Sequence, residues 1–208
     1  MMSAARLAVA GLVALLAFLS VTVAEAQTPT RLRGTISAID DKTVTIATRE
    51  GETVKVNLAD KWAVLVVSKI TAAEIKQGSF VGIASMGTDA DRTALEVLVL
   101  PESARGSGEG HYPWDLQPNS MMTNATVATV AENSGAETLK LEYKNKDGSS
   151  GSQTIKVKPG TPIVTFAPGT PADAKVGTKV FVPAAKAADG SLSTARLLVG
   201  KDGVTPPM

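Results

Sequence analysis

Apolar residues recur along this chain in short runs broken by Gly- and Asp-rich turns. GTISAI at 34–39 brackets small residues with Ile36 and Ile39. TVTIAT at 43–48 alternates Val44 and Ile46 with Thr, and TVKVNL at 53–58 alternates Val54, Val56 and Leu58 with polar residues. A period of two between turn signals predicts antiparallel strands with one buried face. A fourth apolar run, AVLVV at 63–67, leads to TAAEIKQG at 71–78, where Thr71 and Glu74 have capping-box spacing and Gly78 is placed as a stop. That segment predicts one or two helical turns. A closing hairpin follows, FVGIAS with LEVLVL, turning at Asp89-Ala90-Asp91.

The whole pattern then recurs. ATVATV at 125–130, TLKLEY at 138–143 and TIKVK at 154–158 repeat the first three strands. Residues 62–84 align without a gap on 161–183, a constant offset of 99 that takes Trp62 to Thr161. In the second copy Thr170 and Asp173 repeat the cap, Pro171 takes the first helical position and Gly177 the stop. KVFVPA and ARLLVG close the copy with a turn at Asp189-Gly190. Self-similarity at this period fixes architecture before any motif does.

Five strands with a short helix between the third and fourth follow the order of an OB-type barrel. The plan G-x-(I/V)-x-x-(I/V), the A-E/D-x-K-x-G turn at 73–78 and 172–177, and the final x-A-x-x-(V/L) strand resemble the bacterial exported OB-fold domains of unknown function. The resemblance implies an all-β fold of two tandem small OB-like antiparallel β-barrels, each with one short helix between strands three and four. Domain one would occupy 27–100 and domain two 124–208, with a linker at 101–123. The family brings no catalytic residues to transfer.

The N-terminus reads as a signal peptide over 1–26. Arg6 supplies the positive charge, 7–23 the apolar stretch, and Ala24-Glu25-Ala26 a cleavage site after Ala26. Retention as an uncleaved anchor is the alternative, and no later segment is apolar enough to span a bilayer. The chain has no Cys, which excludes a lipid anchor, thiolate metal sites and disulfides. Export without disulfides suits a bacterial periplasm.

A net charge of +1 and 4% aromatics give no electrostatic or stacking footprint for nucleic acid. The chain lacks a Cys nucleophile, and its single His lies in a Gly-rich stretch without a G-x-S-x-G elbow, so the expectation is no enzyme. Paired carboxylates such as Asp40-Asp41 sit in turns, where Asp is favoured on backbone grounds.

The linker, PESARGSGEGHYPWDLQPNSMMT, concentrates the chain's rare residue types. His111, Met121 and Met122 form its candidate metal group, imidazole and thioethers being ligands that suit copper. Tyr112, Trp114, Asp115 and Leu116 are its candidate partner-binding residues, because connectors carry function disproportionately often. The plainer reading is that the aromatic and Met side chains pack the seam between two barrels. Together these features predict a non-catalytic periplasmic binding or structural module of the cell envelope, an interaction or adaptor protein whose partner is an envelope protein or a small ligand. The alternative is a periplasmic transition-metal (copper) binding accessory protein associated with metal transport.

Overall fold

The computed structural model describes residues 30–133 and 135–206. The signal-peptide segment 1–26 lies outside them. Among the described residues twelve strands follow one another: β1 (Thr30–Ile39), β2 (Thr43–Thr48), β3 (Thr53–Lys69), β4 (Phe80–Thr88), β5 (Asp91–Leu100), β6 (Gly110–Pro113), β7 (Met121–Asn133), β8 (Ala136–Lys144), β9 (Ser150–Val157), β10 (Ile163–Pro168), β11 (Lys179–Lys186) and β12 (Leu192–Gly200). The fold is all-β with closed-barrel geometry, and among the described residues no helix is long and apolar enough to cross a membrane.

The alternating runs became strands as their period requires. Val44, Ile46, Val56 and Leu58 point inward, while Lys55 and the other Lys of these strands stay in water. The runs at 53–58 and 63–67 merge into the single strand β3. Their counterparts in the second copy stay separate as β9 and β10, because Pro159 and Pro162 remove backbone donors between them.

The short helices are corrected. Each is one 3-10 turn, Ala72–Glu74 and Pro171–Asp173, and no α-helix occurs among the described residues. The capping chemistry is present: Thr71 N donates to Glu74 Oε2 at 2.8 Å, and Thr170 N to Asp173 Oδ2 at 2.8 Å. One turn is all the chain forms before Gly78 and Gly177 enter the left-handed region at φ 85° and 88°.

The expected assignment of one barrel to 27–100 and another to 124–208 is also corrected, by strand pairing. β1 pairs with β2 and β2 with β3, but β3 continues the ring to β12, β12 to β11, and β11 back to β1. The second ring runs β7–β8–β9–β5–β4 and returns to β7. Each ring therefore takes its first three strands from one copy and its closing hairpin from the other. The exchange keeps inward and outward residues in place because the two closing hairpins carry the same period-two alternation.

Two separate interiors result. Ile36, Val44, Ile46, Val56, Val182 and Leu197 fill one ring. Val81, Ile83, Val127, Leu139, Leu141 and Ile155 fill the other. The residue after each 3-10 turn, Ile75 or Ala174, is buried against the ring that its own copy closes.

The rings join where β10 pairs antiparallel with β3. Val67 lies opposite Phe166, Leu65 opposite Pro168, and Lys69 opposite Val164. The offset of 99 carries 67 to 166, 65 to 164 and 69 to 168, so the pairing maps onto itself. Contact of each patch with its own equivalent is the mark of a local twofold axis. A third apolar cluster, Val67, Leu98, Val164, Phe181 and Leu198, fills the junction, with Leu65, Leu100 and Phe166 half-buried at its edge.

Candidate functional site

The linker is a strap across this junction. The 3-10 turn Glu102–Ala104 is tied down by Arg105, which binds Glu102 and donates from Nη2 to Gly78 O at 2.9 Å. β6 then pairs with β7, setting His111 opposite Thr123, Tyr112 opposite Met122 and Pro113 opposite Met121. At the tip, Trp114 N donates to Ser120 O, and the buried Ser120 hydroxyl donates towards Gln117 O at 2.7 Å. Asn119 takes the left-handed conformation that such a tip needs, at φ 62°.

Although β6 is paired to the second ring, its next residues reach the first. The Arg31 guanidinium on β1 lies 3.9 Å from the centre of the Trp114 ring. Asp115 accepts from Arg33 Nη2 at 2.7 Å and from Arg31 Nη1 at 3.3 Å. Partial burial pushes the Asp115 carboxyl up, but the two arginines outweigh it and hold it below its ordinary range. Tyr112 meets Trp114 edge-on at 6.1 Å, and its hydroxyl accepts from Asn124 Nδ2 at 2.8 Å. Tyr112, Trp114 and Asp115 therefore gather over the seam. Leu116 parts from them and lines a separate crevice with Arg33, Glu96, Lys179 and Pro206.

The strap and the twofold seam enclose a cleft of about 310 Å³. Leu65, Leu98, Leu100, Phe166, Phe181 and Leu198 form its apolar surface. Tyr112 and Trp114 form one wall, with Arg31, Asn124 and Arg196 also contributing. Composition could not reveal Leu65, Leu100, Phe166 or Arg196 as site residues. They come from four different strands, which meet because β10 pairs with both β3 and β5 and because β12 pairs with β3.

The surroundings of the cleft break the repeat's symmetry. Arg33 pairs with Phe181 and Arg31 with Pro183 in the first ring. The corresponding pairs in the second ring are Asn124 with Gly82 and Met122 with Ala84. Phe181 and Gly82 are equivalent at the offset of 99. A Cβ at Gly82 would lie 2.6 Å from Asn124 Oδ1, so the small residue makes room for the Asn124 amide that anchors Tyr112.

The candidate metal trio does not converge. Neighbouring strand residues project to opposite faces, so Met121 and Met122 diverge. Met122 is 2% exposed, on the face opposite His111. His111 Nδ1 lies 2.8 Å from Thr123 Oγ1, and its ring stacks on Tyr143 with centres 6.1 Å apart. Burial, then the Arg92 charge, lowers the imidazole pKa, with Asp89 opposing. Among the described residues, no group of three or more His, Cys, Asp or Glu side chains is arranged to hold a metal ion.

Compared with protein-family models, with curated proteins and with solved structures, the chain matches none.

Proposed function

We propose that this chain is a non-catalytic binding protein of the bacterial periplasm, serving the cell envelope as an interaction module through the cleft beneath the strap. Its two rings are read as OB-like barrels. Their strand order, 1-2-3-5-4 and closed on 1, is that of a five-stranded Greek-key barrel if each closing hairpin is counted with the ring it completes. Export rests on the signal-peptide pattern of 1–26 and on the Cys-free composition.

The observation that carries the reading is the concentration of half-exposed apolar and aromatic side chains at one concave place. Leu65, Leu100, Tyr112, Trp114 and Phe166 all remain partly open to solvent there. Contiguous apolar surface of this kind marks interaction sites on folded proteins. Copper binding through His111, Met121 and Met122 gains no support from their divergent placement.

The test places a photo-crosslinking residue, p-benzoylphenylalanine, at Leu100 in the cleft or at Lys55 on the outer surface of β3. Crosslinking is performed in intact cells and read from the mass of the recovered protein. An adduct formed at Leu100 and absent at Lys55 is expected. Adducts at both positions, or at neither, overturn the proposal.

A further inference from the structure

The polar groups at the cleft divide into satisfied and open ones. Asn124 Nδ2 donates to Tyr112 OH at 2.8 Å and to Gly108 O at 2.9 Å, and Tyr112 OH itself lies 3.2 Å from Gly108 O. These neutral groups are engaged with one another. Arg31 is engaged by Asp115 and by the Trp114 ring. Arg196 is different. It is exposed at the cleft on β12, and among the described residues no acidic side chain pairs with it. The lining contains two arginines and no Asp or Glu.

An apolar surface bounded by open positive charge is complementary to a ligand with an apolar body and a negative head. We propose that the cleft binds a small amphipathic anion, whose hydrocarbon or ring body lies against Leu65, Leu100 and Phe166 and whose carboxylate, sulfate or phosphate head meets Arg196. This inference rests on the cleft being the binding surface. It adds the chemical class of what binds there. A volume of about 310 Å³ falls at the small end of the range for small-molecule sites, roughly 300–1,000 Å³. Guanidinium is suited to planar oxyanions through paired N–H donors. Burial of the body supplies affinity without directional contacts, so selection by charge falls to the arginine.

Decanoate and decyltrimethylammonium share a ten-carbon chain length and differ in head charge. Both are titrated into the intact mature protein by calorimetry, below their micelle concentrations. Decanoate is expected to bind one per chain, about tenfold or more tighter than the cation, in line with one charge-assisted hydrogen bond. Arg196→Gln, a change at an exposed position, should abolish that preference by weakening decanoate, while the cation binds no less tightly because a like charge has been removed. Leu100→Asn should weaken both probes. Equal binding of the two probes, a preference that survives Arg196→Gln, or no binding of decanoate overturns the proposal. Sedimentation with phosphatidylglycerol vesicles in the absence of decanoate binding also overturns it, and assigns the surface to a membrane instead of a small ligand. A Leu100 crosslink without decanoate binding would defeat this inference alone, since the cleft would still be the binding surface.

Discussion

His111 sits half-buried between the Tyr143 ring and the Thr123 hydroxyl, with the Arg92 charge close enough to oppose its protonation. Its folded pKa lies below the unfolded value of about 6.5. The unfolded chain therefore takes up a proton first as pH falls. The associated stability is fully present above about pH 6.5 and is lost as pH drops through the depressed folded pKa. The melting temperature of the natural protein is expected to fall between pH 7.5 and pH 5, and His111→Gln should flatten that slope. Equal slopes in the two proteins would remove His111 as the cause. The Met pair shows why residue identity alone misleads at this scale. Met121 and Met122 are adjacent in sequence and read as a pair, but strand geometry sends them to opposite faces.

The capped turns show an element whose chemistry was legible and whose target was not. Thr71 with Glu74, and Thr170 with Asp173, announce their caps in the sequence, and both caps form. Helical length was not legible, because a cap fixes where a turn begins and only packing decides whether it continues. The following residue, Ile75, is 4% exposed and belongs to the buried cluster that fills the ring completed by β4 and β5. Ile75→Ala should cost about 2–5 kcal/mol by opening a cavity there. Denaturant titration checks this, and a change below about 0.5 kcal/mol, the range of ordinary surface substitutions, would show that Ile75 is not a plug. The strap is the opposite case. Its composition drew attention to 101–123, but nothing in the alternation predicted β6 or its pairing with β7.

At the scale of the molecule, exchange of closing hairpins makes the halves depend on each other. Each ring needs strands from both copies, so the strap is not the only link between them. A protease site inserted at the exposed Ser107 should be cleaved without separating the chain. The two fragments are expected to elute together in size exclusion and to unfold in one transition. Two barrels formed within their own copies would separate into independent species after the same cut. The seam also explains why a repeated chain has an unrepeated site. Symmetry brings Leu65, Leu98 and Leu198 together, and the differences between Phe181 and Gly82 and between Arg33 and Asn124 make the two flanks unlike.

What the sequence determined by itself is local: where strands run, which faces they bury, where turns cap, and that the plan occurs twice. These follow from the period-two pattern and turn chemistry, which act over a few residues. The tertiary structure alone decided which copy closes which ring, and with that the existence of the cleft. The two closing hairpins carry nearly the same pattern, so exchanging them preserves the alternation of inward and outward residues. The choice lies in the long-range pairings β1–β11, β3–β12, β4–β7 and β5–β9, where strands distant in sequence first meet.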